Sequence, residues 1–493
     1  MGQTQLMKAL TTPDKKKLLA SIPGIVVYLL CVYWGNFVET ELNAFYASIG
    51  IAALLINFWI AEPVPIWLSS LLPIVLMPIH GIIDWTLIFK AYFNNTILLF
   101  FGGFLLAYSV EKWHLHKRIA LKLLSFTGDN PKGIIWGMML STCLISMWIS
   151  NTATAIMMLP VAISIVNTIQ DKNNPANKAF FACLILGIAY GANIGGIATI
   201  IGTPPNIVYK GLSELLLNAH VSFFKWMILG IPLSLLMLWL SYQFMTNVFF
   251  KVKMHSLPEV ADLLDRQSNQ IGKMGKAEKR TLVIFLFAIC FWVFGQVFND
   301  WFKSHQIPIK IEEFSVALVF GILLFFIPSG QAPSQPLLVV SDMKHISWEI
   351  LLLFGGGMCM AKGLETTGAI HAAGNWIKTS QNGQYEWLLL LIIASAVFFT
   401  ELMSNVALAQ IYIPVVFGIS QSIGLNNPHI MGITTTIACS FAFMFPISTP
   451  PNAVVYSSGK IQLKDMAIVG LCLNIVGVIV LWLVGLFVLP YLF

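Results

Sequence analysis

The sequence predicts an all-α polytopic membrane protein built from two inverted repeats. Composition is the first reason: 57% of the 493 residues are hydrophobic and only 10% are charged. A soluble domain carries about a quarter charged residues, so this composition excludes a water-exposed surface over most of the chain. Lipid accepts such a chain because it is itself the apolar phase. The second reason is a set of polar and proline motifs that recurs in the same order in both halves.

The first half contains long apolar segments, two of which form a pair interrupted by a short polar motif. Ser150-Asn151-Thr152 joins the paired segments, which predicts a re-entrant hairpin over residues 133–169. The segment 182–212 is too long for one span, and Pro204-Pro205 predicts a break inside it. An amphipathic stretch, 111–126, is predicted to lie along the membrane interface. The apolar segments are Leu18–Trp34, Ala44–Ile60, Ile66–Ile79, Thr96–Val110, Gly133–Ile149, Ala153–Ile169, Ala182–Leu212 and Phe223–Phe250.

The second half follows a charged segment and repeats the same plan. Ser404-Asn405-Val406 joins a second pair, which predicts a hairpin over residues 387–419. Its apolar segments are Thr281–Phe298, Phe314–Ile327, Trp348–Leu364, Trp387–Met403, Ala407–Ile419, Met431–Ser458 and Met466–Leu492. We therefore predict an N-terminal segment with a first helix (1–43), a first repeat (44–250), a charged cytoplasmic linker (251–280) and a second repeat (281–493).

Matched motifs are what identify the two halves as a repeat. A hydroxyl residue, Ser146 or Thr400, also precedes each Ser-Asn pair by one helical turn. About five crossings and one hairpin per half would give the halves opposite orientations, which is typical of secondary transporters. The other matches are Phe101-Gly102-Gly103 with Phe354-Gly355-Gly356, Ser150-Asn151 with Ser404-Asn405, and Thr203-Pro204-Pro205-Asn206 with Thr449-Pro450-Pro451-Asn452.

Basic residues cluster in three polar segments that the helix count places on one side of the membrane. By the positive-inside rule this side is cytoplasmic, which predicts a cytoplasmic N-terminus in the cell membrane and argues against nucleic-acid binding. The clusters are Lys15–Lys17, then Lys112, Lys117 and Arg118, then Lys251, Lys253, Arg266, Lys273, Lys276, Lys279 and Arg280.

The interrupted segments have the chemistry to bind an anion. Helix N-termini carry partial positive charge and free N–H donors, so two hairpin tips that face each other would hold two carboxylates. Helix C-termini and unwound carbonyls suit a small hard cation. Asn151 and Asn405 can donate and accept, and Thr152, Thr203 and Thr449 offer hydroxyls. Ser150 and Asn151 would also serve as helix caps, which does not compete with binding.

Ionisable residues are scarce inside the apolar segments. Glu401 lies within the second hairpin, and Lys362 and Glu365 lie at the end of a span. For Glu401 and Lys362, a role in transport and a structural role are both open. No nucleophile set, phosphate loop or zinc motif appears, so neither an enzyme nor an ATP-driven pump is predicted. The seven cysteines form no metal or disulfide pattern, and no cofactor is expected.

These motifs resemble those of the divalent anion:sodium symporter family. The run Ser440–Val455 resembles its long signature, and Ser150-Asn151-Thr152 resembles its hairpin motif; the resemblance covers essentially the whole chain. It implies a homodimer whose protomers have eleven spanning helices, two re-entrant hairpins, a scaffold part and a transport part that moves as an elevator. The implied substrates are succinate, malate, fumarate, 2-oxoglutarate, citrate or, in some branches, sulfate.

The resemblance also assigns residues. It implies that Asn151 and Thr152 contact substrate from the first hairpin and Asn405 from the second. Sodium sites would be lined by Ser146, Ser150 and Asn151, and by Thr400 and Asn405, with backbone oxygens from the two Thr-Pro-Pro breaks. The full predicted substrate set is Ser150, Asn151, Thr152, Thr203, Ser404, Asn405, Val406, Thr449 and Pro450.

One departure from the family pattern affects the predicted coupling. The second motif ends in Val406 where many carboxylate symporters have threonine, and Met403 is bulkier than expected. Lys362 and Glu401 are available as local charges for charge compensation, and a fixed positive charge could neutralise a dianion without a co-ion. The sequence therefore favours exchange of C4 or C5 dicarboxylates. The alternatives are sodium-coupled symport of dicarboxylate or sulfate and, more distantly, an anion channel.

Overall fold

The computed structural model describes residues 15–37, 40–171, 174–254, 256–331, 334–380, 385–425 and 427–493. Their regular elements are all helices, numbered here in chain order. The first half comprises α1 Lys15–Gly35, α2 Thr40–Ala61, α3 Ile66–Ser69, α4 Leu72–Ile79, α5 Trp85–Tyr92, α6 Asn95–Lys112, α7 Leu115–Ser125, α8 Pro131–Ser146, α9 Asn151–Thr168, α10 Pro175–Gly196, α11 Pro204–Leu217 and α12 Phe223–Gln243.

The second half begins after α13, Pro258–Gln270, which lies in the segment predicted to be a linker. Its elements are α14 Lys276–Ser304, α15 Glu313–Leu323, α16 Trp348–Thr366, α17 Ala369–Ser380, α18 Tyr385–Phe399, α19 Asn405–Ser422, α20 His429–Ala438, α21 Pro450–Tyr456, α22 Leu463–Phe487 and α23 Leu489–Leu492. A π-helical turn, Phe244–Phe249, extends α12, and a 3₁₀ turn, Val340–His345, precedes α16.

Eight helical stretches in the described residues are long and apolar enough to cross a membrane. Three shorter apolar helices, among them α15 and α18, fall below that length. Large apolar side chains on the outer faces are exposed, such as Leu29 at 56% and Val297 at 62%. Lipid can cover such faces, so the prediction of an all-helical polytopic membrane protein is confirmed.

The linker prediction missed local structure. Proline at the first turn starts α13, which packs against α7 and against α9 of the first hairpin. The next helix, α14, already begins at Lys276, where Glu278 bonds back to the amide of Gly275. The Arg118 guanidinium on α7 pairs with Glu278, so the charged segment is held against the first half.

The two hairpins pack across the repeat boundary. The second helix of the first hairpin, α9, packs against α21 of the second repeat, and α19 packs against α11 of the first. The first helix of the first hairpin, α8, lies against α10, where an added Cβ at Gly195 would sit 2.3 Å from the Cys143 carbonyl oxygen. This close approach requires glycine. The crossed packing brings the interrupted segments of both repeats to one place.

Candidate substrate and cation site

The first hairpin reverses at Met147–Ser150, between α8 and α9. Ser150 is the N-cap of α9, and its hydroxyl accepts from the amide of Ala153 at 3.3 Å. The Ser146 hydroxyl lies 2.7 Å from Asn151 Oδ1 and 2.9 Å from the carbonyl oxygen of Ala192 on α10. The tip is thus tied to the helix that precedes the first Thr-Pro-Pro break.

The second hairpin repeats this geometry with different residues. The Thr400 hydroxyl lies 2.7 Å from Asn405 Oδ1 and 2.6 Å from the carbonyl oxygen of Cys439, at the end of α20. Ser404 is the N-cap of α19 but makes no side-chain cap bond, in contrast to Ser150. The agreement between the two tips supports the repeat that the motif order predicts.

Each tip therefore gathers three oxygen atoms that share a single hydroxyl hydrogen. A serine or threonine hydroxyl can donate to one acceptor at a time. It therefore donates either to the asparagine Oδ1 or to the carbonyl oxygen, and the other of these two oxygens faces the hydroxyl oxygen without a proton between them. A small hard cation satisfies such an arrangement, since oxygen is the ligand it prefers. The clusters are Ser146, Asn151 and Ala192 in the first repeat, and Thr400, Asn405 and Cys439 in the second.

Sequence reasoning did not single out two of these oxygens. The carbonyl oxygens of the clusters belong to Ala192 and Cys439, upstream of the Thr-Pro-Pro breaks, whose backbone oxygens the resemblance assigns to the sodium sites. A backbone carbonyl leaves no trace in residue type, so no motif could have indicated it. Ser150, predicted to line a sodium site, directs its hydroxyl to the helix amide of Ala153.

Two buried asparagines hold the unwound segments open. Asn206 donates to the carbonyl oxygens of Gly196 and Thr199 at 3.2 and 2.7 Å. Asn452 donates in the same way to Ala442 and Phe445, both at 3.0 Å. The final residue of each Thr-Pro-Pro-Asn motif thus supplies the hydrogen bonds that a broken helix lacks, as a membrane interior requires.

The four helix starts open onto one cavity of about 620 Å³. Asn151 and Asn405, from opposite repeats, line the same space, as do Trp148, Phe100 and Phe104. All nine residues of the predicted substrate set lie in its wall: Ser150, Asn151, Thr152, Thr203, Ser404, Asn405, Val406, Thr449 and Pro450. The first-turn amides of α9 and α19 have no intrahelical partner and can donate to a ligand. The proline starts of α11 and α21 lack N–H groups at their first positions.

Charge is almost absent from the described wall of this cavity. Its one ionisable residue is Glu62, whose side chain is 49% exposed and lies 3.5 Å from Lys17. Lys362 lies outside the wall, where its ammonium contacts Glu365 at 2.5 Å. The wall residue nearest to it along α16 is Ile350, roughly 18 Å away at the rise of an α-helix. Lys362 is therefore not a lining residue of the cavity, and its ammonium is paired with Glu365.

Glu401 also lies outside the wall, where it organises the second unwound segment. Its carboxylate accepts from the amides of Phe443 and Met444 at 2.7 and 2.9 Å and from Asn474 Nδ2 at 2.7 Å. The amide of Phe445 and the Ser448 hydroxyl complete the set. Only 1% of Glu401 is exposed. Its charge is thus stabilised by donors of the protein itself.

A second cavity, here called the vestibule, continues from the first. It has a volume of about 1310 Å³ and shares Ser150, Thr152, Ser347 and Ile350 with the substrate cavity. Its wall contains the exposed Lys117, and Lys112 paired with Asp342 at 2.6 Å. Burial lowers the pKa of His116 to about 4, so this wall residue stays neutral near pH 7. The vestibule thus extends from the exposed Lys117 to Ser150 and Thr152 at the tip of the first hairpin.

Val406 is the position at which the two tips differ most in chemistry. It occupies the cavity wall where Thr152 stands in the first tip, and it offers no donor. We expect Val406→Thr to lower the substrate KM about three- to tenfold, because one added hydrogen bond contributes roughly 1 kcal/mol. Thr152→Val is the matched reverse change and should raise KM. An unchanged KM in Val406→Thr would count against a substrate contact at this position.

Several known proteins are similar to this chain in sequence or in structure. Residues 20–493 match the family model described as the sodium:sulfate symporter transmembrane region. The chain is 32% identical over 448 residues to the sodium-dependent dicarboxylate transporter SdcS of Staphylococcus saprophyticus, covering 90% of this chain and 86% of that protein. It is 33% identical over 480 residues to SdcS of Staphylococcus aureus, covering 96% and 91%. The crystal structure of the Alcanivorax borkumensis YdaH transporter has a TM-score of 0.49 at 12% identity, covering 80% of this chain and 84% of that one.

Proposed function

The chain belongs to the sodium:sulfate symporter family, and from that premise we propose that it carries a C4 or C5 dicarboxylate across the membrane together with sodium ions. Succinate, malate, fumarate and 2-oxoglutarate are the candidate substrates. The observation that carries the proposal is the pair of matched oxygen clusters beside a cavity whose described wall contains no basic side chain.

The double negative charge of a dicarboxylate supports sodium as the coupling ion. A dicarboxylate brings two negative charges into a low-dielectric cavity, where an uncompensated charge is costly. The N-termini of α9 and α19 supply about half a positive charge each, which leaves roughly one negative charge unbalanced. Cations in the oxygen clusters would supply the remainder, since Asn151 and Asn405 reach both the clusters and the cavity.

The proposed sodium coupling differs from the exchange mechanism that the sequence favours. Exchange without sodium needs a fixed positive charge near the substrate, and Lys362 is the candidate that the sequence offers for it. Lys362 is instead paired with Glu365, and Glu401 binds backbone amides. Two relatives that are 32% and 33% identical to this chain are named sodium-dependent dicarboxylate transporters, which also supports symport.

Uptake into proteoliposomes tests the proposal. With an inward sodium gradient and no internal anion, labelled succinate should accumulate at least about tenfold above vesicles in which potassium replaces sodium, because binding of the dianion requires the cations. Parallel vesicles loaded with succinate, 2-oxoglutarate or sulfate show which anions compete or exchange. Uptake that requires an internal anion and does not depend on sodium would contradict symport and support anion exchange. Preference for sulfate over every dicarboxylate would overturn the substrate class.

A further inference from the structure

A third cavity lies beyond the substrate cavity, and it contains a buried lysine that the proposed function does not use. This space of about 620 Å³, here called the Lys210 chamber, is lined by Asn95, Leu99, Lys210, Glu214, Lys225 and Glu313, among others. In the part of the chain that the structure describes, it shares no wall residue with the substrate cavity. Charged residues inside membrane proteins mark functional sites by default.

Helix α6 shows that the three cavities lie in series. Its first turns, at Asn95 and Leu99, line the Lys210 chamber. Its middle, from Phe100 to Ala107, lines the substrate cavity, and its end, from Tyr108 to Lys112, lines the vestibule. The helix advances about 26 Å over this distance. The chamber therefore lies on the side of the substrate cavity opposite the vestibule.

Helix α11 connects the substrate cavity to the chamber. It begins at Thr203-Pro204-Pro205 in the cavity wall and carries Lys210 about 10 Å further along its axis. Lys210 is 3% exposed, and its ammonium lies 3.1 Å from Glu214 on the same helix and 2.9 Å from the carbonyl oxygen of Val221.

The contact between Lys210 and Glu313 is an ion pair that joins α11 to α15. The ammonium lies 3.0 Å from Glu313 Oε2, at the start of α15, and α15 packs along α6. The other carboxylate oxygen of Glu313 accepts from the amide of Phe223, where α12 begins. The helix α11, which begins in the wall of the substrate cavity, is thus joined by a buried ion pair to α15, and both helices line the Lys210 chamber.

We propose that Lys210 and Glu313 form the gate that closes the pathway on the side opposite the vestibule, and that they separate once in each transport cycle. This inference rests on the proposed function, because a carrier must close one side of its site while the other is open. Separation leaves the Glu313 carboxylate without its cation unless water enters, whereas Lys210 keeps Glu214, so the pair favours the vestibule-open arrangement. Lys210 and Glu313 act through α11 and are positioning residues.

Cysteine labelling in the full-length protein tests the gate. Met157 lies in the vestibule wall on α9, so Met157→Cys should react with an impermeant maleimide from that side. The half-buried Cys31, Cys290 and Cys472 are first replaced by alanine. Glu313→Gln keeps an acceptor for the Phe223 amide but removes the charge. It should shift the population away from the vestibule-open state and slow labelling at least about threefold.

Glu214→Gln is the matched control, because it removes the other carboxylate beside Lys210, which lies on the same helix as the lysine. The link from Glu214 to α6 is a hydrogen bond from the Thr96 hydroxyl at 3.3 Å, and a glutamine oxygen can still accept it. Labelling should stay within about twofold of the parent. Glu313→Asp keeps the charge but lengthens the ion pair, so it should be labelled more slowly than the parent and faster than Glu313→Gln. Should Glu313→Gln not fold, labelling of Glu313→Asp at the parent rate would overturn the gate.

The possible results separate the gate from a merely structural ion pair. Unchanged labelling in Glu313→Gln, whether or not uptake is lost, would overturn the gate. Equal slowing in Glu214→Gln and Glu313→Gln would do the same, since general loosening explains it. Labelling of Met157→Cys does not depend on transport. If the parent protein showed no sodium-driven dicarboxylate uptake, but Glu313→Gln alone slowed labelling, the gate would stand and the proposed substrate would be rejected.

Discussion

Sodium-driven dicarboxylate uptake is expected to fall at least about 100-fold when either Asn151 or Asn405 is replaced by alanine. Each side chain has Oδ1 in an oxygen cluster and lies in the wall of the substrate cavity. On the proposed function, truncation therefore removes a cation ligand and a carboxylate contact together. Hydrogen bonds to charged groups contribute about 1.5–3 kcal/mol each, so the loss of both amounts to more than two decades in rate.

Two controls define what this result means. Asn247 is exposed and contacts Lys132 on the surface, so Asn247→Ala should leave uptake unchanged. Asn151→Asp keeps an oxygen for the cation but places a negative charge beside the substrate, which should weaken substrate binding more than sodium binding. Thermal stability of the alanine variants should stay close to that of the parent. Near-normal uptake in both alanine variants would remove the site assignment altogether.

Glu401→Gln is expected to give the largest loss of stability. The carboxylate accepts from the amides of Phe443, Met444 and Phe445, and from Asn474 and Ser448. Glutamine offers one oxygen in place of two and turns an NH₂ group toward donors. Leaving buried donors unpaired next to a lost charge costs about 3–5 kcal/mol, and we expect the unfolding temperature in detergent to drop by at least about 5 °C.

Glu349→Gln provides the comparison for this variant. Glu349 is an exposed residue in the first turn of α16, and its neutralisation should change the unfolding temperature by no more than about 1–2 °C. A Glu401→Gln protein as stable as the parent would show that the carboxylate does not hold the unwound segment. Stability unchanged but transport lost would instead assign Glu401 to the transport step.

The internal repeat is what makes the substrate site recognisable in the amino-acid sequence. Asn151 and Asn405 stand out because identical pairs occupy matching places in two halves, and both line one cavity. Val406 stands out in the same way, as a mismatch between otherwise equivalent tips. Periodicity and composition also predict an all-helical membrane protein, because the bilayer imposes both on the chain.

Other parts of the site could not be predicted, for physical reasons. The carbonyl oxygens of Ala192 and Cys439 depend on where helices end in space, which residue type does not record. Lys362 illustrates the reverse: its spacing of three residues from Glu365 is that of a helical ion pair, so the local contact was available in the sequence. The homodimer and the elevator motion stay predictions, because they concern copies and states beyond a single chain.

Asn193 links the two halves of this site by hydrogen bonds. It follows Ala192 of the first cluster. Its side-chain nitrogen Nδ2 lies 3.1–3.2 Å from three acceptors in the other half, the Ala442 carbonyl oxygen, the Thr449 hydroxyl and Asn452 Oδ1. On the proposed function, an ion that shifts this peptide on one side would displace hydrogen-bond acceptors on the other side. Uptake should then rise with sodium concentration more steeply than a single-ion hyperbola.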